Sequence, residues 1–261
     1  MLDPRLNLVT RDRDLWRPIP FQKPVTAVQR SVARLRRFLD LQANSIWRHL
    51  APELPRVKGR LLDVGCGAQP YRELLSPEVS YLGIDTVDAK ARFGYEIPDT
   101  LYFEGDTWPV DTGSFDVVLC TETLEHIADT LRFLDEVRRA LRPGGRVILT
   151  VPFAARWHFI PHDYWRFTPS GLMRVLTQAG FTDVQVYARG NALTVACYKV
   201  EALILPFVFP QGESFVRKLA MQAIGVLLLP MFATLAVVGS LSLRLAGGDD
   251  CLGYTALARR D

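Results

Sequence analysis

Glu122-Thr-Leu-Glu125-His126 places two carboxylates and an imidazole within five residues. At i, i+3 and i+4 the three side chains can face one way on a helical turn. Such a set suits Mg²⁺ or another divalent ion that acidifies a hydroxyl. Without a metal, His126 serves as a general base or as a hydrogen-bonded support. Further along comes Trp157-His-Phe-Ile-Pro-His-Asp-Tyr-Trp-Arg-Phe-Thr168, dense in polar and aromatic groups. His158, Tyr164 and Arg166 are candidates to shape a substrate pocket. His162 is a candidate catalytic group and could complete a metal set with Glu122, Glu125 and His126. Arg166 either meets an anionic group of a substrate or pairs with Asp163. Two of Tyr164, Trp165 and Phe167 are expected to anchor the loop in the core.

A second constellation lies earlier. Leu61-Leu-Asp-Val-Gly-Cys-Gly67 is an apolar strand running into a glycine turn, and Tyr81-Leu-Gly-Ile-Asp85 is a second apolar strand ending in a carboxylate. Two glycines let the backbone approach a ligand closely. A carboxylate at the end of the next strand can accept both hydroxyls of a ribose. Together they describe a nucleoside site at the carboxyl edge of a parallel sheet. Pro70 stands where a dinucleotide fingerprint has its third glycine, which argues against NAD and a nicotinamide oxidoreductase. The Gly-Lys-Ser/Thr of a phosphate P-loop is absent here.

The elements that must hold these groups alternate. Phe103-Glu-Gly-Asp106 closes a third strand on an acid, and Ser114–Thr121 is a nearly all-apolar fourth, as a strand buried on both faces should be. A helix follows, with Leu131, Leu134, Val137 and Leu141 at helical spacing; Arg142-Pro-Gly-Gly145 ends it, and Arg146–Val151 is a fifth strand. Thr168-Pro169 reads as the cap and first turn of a helix through Ala179. Such alternation builds a doubly wound parallel sheet.

The ordered set DVGCG, GID, EGD, SFDVVLCTETLEH and LRPGGRVILTVP resembles the class I S-adenosylmethionine (SAM) methyltransferases, and among them the small-molecule enzymes of the ubiquinone and menaquinone type. The resemblance covers roughly residues 58–190 and a final strand near 253–259. It implies a seven-stranded, mostly parallel Rossmann-like sheet whose last strand is antiparallel. It assigns Asp63, Gly65, Cys66 and Gly67 to the methionine end of SAM, Asp85 to the ribose, and Asp106 with Thr107 to the adenine; Thr121 joins the cofactor set. Trp108 either stacks on the adenine or packs in the core or a lid. Gln69 stands where the family often has a third glycine. The Glu-x-x-Glu-His run resembles the metal-binding run of ubiquinone-pathway O-methyltransferases and of small-RNA 2′-O-methyltransferases, although relatives without a metal carry Glu-His there too. The implied activity is O-methylation of a small or lipid-linked acceptor by in-line methyl transfer. The alternative is a SAM-binding regulatory or assembly subunit without transferase activity.

Composition bounds the rest. The 261 residues suffice for one large domain with additions. Four scattered cysteines with no Cys-x-x-Cys suit a reducing, cytoplasmic compartment. The opening residues have no apolar h-region, so no cleaved signal is expected. Residues 1–60 hold thirteen Lys/Arg against five Asp/Glu, a net of +8 in a chain whose total is +3. The stretch opens as a proline-punctuated arm, and the spacing predicts one helix from Thr26 to Leu50. Its arginines either form a solvated face or meet anionic lipid or substrate; no basic–aromatic reader motif points to nucleic acid. Leu219–Leu243 is twenty-five residues without a charge, long enough to span a membrane. A chain that returns to the sheet for its last strand excludes a single clean span. Gly225, Pro230 and Gly239 are expected to interrupt a continuous helix. A helical hairpin remains, either dipping into the inner face of a membrane or packing against the domain or a second subunit. The expected organisation is a basic arm and helix over 1–57, a SAM-binding core over 58–198, a hydrophobic insert over 199–250 and a final strand over 251–261.

Overall fold

A computed structural model describes residues 24, 26–93, 96–210 and 214–261. The opening arm expected before Pro24 lies outside the described residues. Seven strands form one sheet in the order β3-β2-β1-β4-β5-β7-β6: β1 Arg60–Val64, β2 Ser80–Thr86, β3 Thr100–Phe103, β4 Phe115–Thr121, β5 Leu141–Pro152, β6 Phe181–Arg189 and β7 Gly253–Arg260. The β1–β2, β2–β3, β1–β4 and β4–β5 ladders are parallel. Leu61, Leu62, Ile84, Val118, Leu119, Ile148 and Leu149 are buried in this central region. Continuous apolar runs there fit strands covered on both faces.

The helix after β4 is α4 in the numbering below, and it differs from its expected face. Its bounds are Thr130–Ala140, and Asp129 caps it by accepting from Arg132 N–H at 3.1 Å. Phe133, Leu134, Val137 and Ala140 point inward, whereas Leu131 is 40% exposed. The aromatic ring at 133 takes the buried position that a reading by leucine spacing gave to 131. Strand pairing resumes at Leu141 opposite Phe115 and then at Arg146 opposite Val117. Arg142-Pro-Gly-Gly145 is thus the register shift inside β5, with Gly144 at φ +75°, where an L side chain would be strained. The shorter helices α3 (Val87–Phe93) and α5 (Pro169–Gln178) flank β2 and β6 in sequence; Thr168 caps α5 as expected, accepting from Gly171 N–H at 3.1 Å.

The chain divides into two compact units. One holds Arg56–Val186 with Ala256–Asp261; the other holds the helices before Pro55 with Tyr187–Thr255. In the second unit the N-terminal helix is two helices, α1 (Ala27–Leu39) and α2 (Leu41–Leu50). Asp40 breaks them at φ −105°, ψ +95°, and its carboxylate accepts from Ala43 N–H to start α2. A helix-compatible apolar spacing hid this internal cap.

The insert is a pair of helices, α6 (Ala192–Val208) and α7 (Phe215–Ser242). Contrary to expectation, α7 runs unbroken through Gly225, Pro230 and Gly239. The glycines serve close packing instead. A Cβ at Gly225 would sit 2.5 Å from the Phe207 carbonyl oxygen of α6, and one at Gly239 would sit 2.5 Å from Leu41. Past Pro230, the Thr234 hydroxyl donates to the Pro230 carbonyl at 2.9 Å. Asn191 caps α6, and its amide donates to the Ser242 carbonyl, joining the two helices at their base. Leu252 N–H donates to Arg189 O and Gly248 N–H to Gly190 O, closing the insert where it leaves and rejoins the sheet. Leu41, Cys197 and Leu252 are the buried centre of this unit. All four cysteines are free thiols, and all are buried.

Candidate active site

The β1 turn is built by exclusion. Gly65 (φ +66°) and Gly67 (φ +48°) take conformations that disfavour side chains, and a Cβ at Gly65 would strike the Thr123 side chain. Gly67 N–H donates to Asp85 Oδ2 at 2.9 Å, and Thr86 N–H donates to Asp85 Oδ1 at 2.8 Å. The Gly67 bond, with those of Gly65 and Cys66 N–H to the Ile84 carbonyl, ties the turn to the end of β2, while the Thr86 bond orients the carboxylate. Asp63 lies beneath, 1% exposed; Oδ2 accepts from the Tyr81 hydroxyl at 2.8 Å, and Oδ1 has no partner among the described residues. Burial pushes Asp63 up to about 7, against the Tyr81 hydrogen bond. Burial also raises Asp85, against its two backbone donors.

Gln69 sits at φ +55°, the kind of position glycine fills more easily, and donates to the Thr100 hydroxyl while accepting from Arg72. Cys66 is buried beside the same hydroxyl. Asp106 and Thr107 are exposed; Asp106 pairs with Arg132 at 2.8 Å. Trp108 takes the packing alternative: it is 4% exposed, its ring edge-on to Phe133, and its backbone N–H donates to Glu136 Oε2.

The Glu122–His126 run does not form a single helical turn. Glu122 has φ +49°, and only Leu124–His126 coils into a short 3₁₀ turn. Thr121 ends β4, and Glu122 turns back to accept from the Thr150 hydroxyl at 2.9 Å. Glu125 is fully buried, and neither carboxyl oxygen has a hydrogen-bond partner among the described residues. Burial, then the Glu122 charge, pushes its carboxyl well above the usual range. His126 Nδ1 lies 2.7 Å from the His162 carbonyl. A carbonyl only accepts, so Nδ1 carries the proton and Nε2 the lone pair. Burial pulls His126 down to about 4, against that hydrogen bond. Burial favours the uncharged form of both Glu125 and His126, which weakens any ionic character of their 3.6 Å approach.

The long loop brings His158, rather than the ring of His162, to this cluster. Ligand atoms of Glu125, His126 and His158 all lie within 4.8 Å of one another. His158 Nδ1 is 3.1 Å from Asp163 Oδ2, which orients the ring. Arg166 donates to both Asp163 oxygens, at 2.6 and 2.7 Å, and to the Trp165 and Arg156 carbonyls. Of its two expected partners, Arg166 has therefore taken Asp163. Burial raises Asp163, but hydrogen bonds from His158 and Arg166 outweigh it and hold the carboxyl below the ordinary range. His162 contributes its carbonyl, while its ring faces the Tyr164 hydroxyl at 3.1 Å. Tyr164 and Trp165 are more than two-fifths exposed, and only Phe167 of the three aromatics is buried. The loop is pinned instead by the Tyr164 and Trp165 N–H groups on the Glu125 carbonyl and by the Trp165 indole on Ile127 O.

Residues 34–186 match a family described as a methyltransferase domain, more than half of the chain. A ubiquinone biosynthesis O-methyltransferase of Cereibacter sphaeroides is 31% identical over 198 residues, covering 65% of this chain and 78% of its own. The chain belongs to the SAM-dependent methyltransferases. A second ubiquinone biosynthesis O-methyltransferase, from Ruegeria pomeroyi, is 32% identical over 168 residues, covering 52% of this methyltransferase and 65% of that relative. Among solved structures, a SAM-dependent methyltransferase from Archaeoglobus fulgidus superposes with a TM-score of 0.51 at 16% identity, covering 87% of this chain and 99% of that one. The [4+2]-cyclase SpnF gives 0.53 at 18% identity, covering 84% and 82%. These two share the fold.

Several groups in the methyltransferase were missed by reading motifs. In the sequence pattern Tyr81 only opens a strand, yet its hydroxyl reaches Asp63. The signal was Gly83, which lies opposite Asp63 in the β1–β2 register. A Cβ there would meet Cys66 Sγ, Gln69 and the Tyr81 hydroxyl, so the glycine makes the room. Thr150 and Asp163 were likewise overlooked as the partners of Glu122 and His158.

Proposed function

We propose that this methyltransferase moves a methyl group from SAM to a hydroxyl of a small or lipid-linked acceptor. The observation that carries the reading is Glu125, a buried carboxyl without a hydrogen-bond partner among the described residues, beside an imidazole whose tautomer is fixed by a carbonyl. SAM, when bound, supplies an electrophilic methyl on a sulfonium that is its own leaving group. The turn of Gly65 and Gly67, the Asp63 oxygen without a hydrogen-bond partner among the described residues and the carboxylate of Asp85 suit its methionine and ribose ends. Asp106 and Thr107 are proposed for the adenine, with Thr121 at the strand end beside the site.

Neutral His126 offers Nε2 to take the proton of an acceptor hydroxyl. His158 and Tyr164 shape the acceptor side, and Asp163 with Arg166 holds that loop in place. Glu125, His126 and His158 also fit a divalent ion, which would acidify the hydroxyl. The relatives named for ubiquinone biosynthesis support an acceptor carried on a lipid tail. Conversion of SAM to S-adenosylhomocysteine with lipid extract, compared with aqueous extract, tests this. Turnover confined to the aqueous extract would refute the lipid-linked acceptor.

A proton linkage follows from Asp63. Its pKa near 7 without ligand keeps it largely protonated at pH 6. A bound cation draws that pKa down, so SAM binding should release up to one proton, and affinity should rise with pH until Asp63 is ionised in the free protein. Calorimetry near pH 6 in buffers of differing ionisation enthalpy reads the release directly. No proton exchange would remove Asp63 from the cofactor site.

We infer further that the insert enters the face of a membrane. The most apolar stretch of α7 has a mean hydropathy of 2.2 and is only 22% buried, unlike a core helix. Leu203, Phe209 and Leu227 are each more than two-thirds exposed. In α1, Val28, Val32 and Leu35 form an exposed stripe, with none of its residues buried and arginines beside it. An apolar anchor and a basic interfacial helix add their free energies at an anionic bilayer. The intact protein should float with liposomes, weakened but not released by salt, because the apolar part is unscreened. A monodisperse dimer that ignores liposomes would assign the same surface to subunit packing.

A further inference from the structure

A cavity of about 200 Å³ lies within the second unit, bounded by α1, α2 and the end of α7. Four arginines line it: Arg34 and Arg37 from α1, Arg48 from α2, and Arg244 just past α7. No carboxylate among the described residues lines it. Arg37 is already stacked on the Trp47 ring, 3.5 Å from its centroid. Arg34, Arg48 and Arg244 have no acidic partner among the described residues. Asn44 and Ser240 supply a hydrogen-bonded floor, the amide donating to the hydroxyl at 3.1 Å and the hydroxyl to Phe38 O. Burial, then the neighbouring Arg244 charge, lowers Arg48 below the ordinary guanidinium range.

Gathering like charges at one cavity costs free energy unless an anion neutralises them. Guanidinium groups bind phosphate oxygens through paired N–H donors, and the space is several times the roughly 30 Å³ share of one water. The cavity opens beside the exposed apolar face of α7, where Val237 and Leu241 belong to its lining. We propose that it binds a phosphate group, and that in the cell this is the headgroup phosphate of an anionic lipid. The assignment rests on the membrane reading of the insert for the lipid, but not for the phosphate.

The test uses the full chain, R48Q/R244Q, and R30Q/R36Q as a charge-matched control outside the cavity. Vesicles are of phosphatidylcholine alone or with added phosphatidylglycerol. Each basic residue near an anionic surface contributes about fivefold in binding, so the wild type should gain more than tenfold from phosphatidylglycerol. R48Q/R244Q should lose nearly all of that gain while keeping its binding to neutral vesicles, and R30Q/R36Q should keep most of it. Equal losses in the two variants would overturn the site in favour of diffuse surface charge. If even the wild type binds no vesicle, the membrane reading fails by itself. The cavity is then judged by inorganic phosphate: thermal stabilisation over chloride at equal ionic strength, absent in R48Q/R244Q, upholds a phosphate site. No stabilisation and no selectivity for phosphatidylglycerol overturn it.

Discussion

Replacing His126 with alanine should lower turnover by about 10²–10⁴-fold while SAM affinity stays near the wild-type value. The imidazole is held neutral by burial, with its proton on the nitrogen that faces the His162 carbonyl. Its remaining lone pair can act only in the transition state of proton removal, so the loss should fall on kcat. Glu125→Gln separates the two chemistries. A neutral amide mimics a protonated carboxyl, so base chemistry should survive the change, whereas an ion at Glu125, His126 and His158 would lose its anionic ligand. Exhaustive chelation gives the parallel reading: activity that persists leaves only the base. Should His126→Ala turn over at the wild-type rate, the cluster is structural.

Asp85→Ala should weaken SAM binding roughly 30- to 1,000-fold, the equivalent of about 2–4 kcal/mol for charged hydrogen bonds to two hydroxyls. The structure adds a second route to the same loss. Asp85 also accepts from Gly67 N–H, so the alanine variant removes one of the bonds between the glycine turn and β2 and leaves those of Gly65 and Cys66 N–H to the Ile84 carbonyl. Asp85→Asn keeps the shape but not the charge, and should fall between wild type and alanine. Titration calorimetry on variants with unchanged thermal midpoints decides it. Unaltered affinity in Asp85→Ala would place the ribose elsewhere.

The parts of the fold legible from sequence were those written locally. The run from Leu61 to Gly67 states its own strand, turn and close approach, and Thr168-Pro169 states its own cap. Asp40 shows the limit. Its neighbours keep a helical spacing across it, so only the backbone reveals that it ends α1 and caps α2. The glycines of α7 were misread for a related reason: a glycine that breaks a helix and one that admits another backbone look alike until Phe207 and Leu41 are in place. In the site, residue types were readable and partners were not. Glu122, Glu125 and His126 were identified as a group, but the positive φ of Glu122 sends its carboxylate to Thr150. His158 replaced the ring of His162 because Asp163, clamped by Arg166, fixes the loop. Such pairings depend on chain reversal, which spacing does not encode.

The four buried thiols make the molecule its own stability gauge. Cys66 and Cys120 lie in one compact unit, Cys197 and Cys251 in the other. Burial raises all four thiols above their ordinary range, so a closed molecule offers an alkylating reagent almost no thiolate. Labelling then proceeds only through opening, at a rate set by the free energy of exposing each position. Mapping which cysteine reacts first would measure the opening of each unit separately, with and without lipid or SAM, in the unaltered chain.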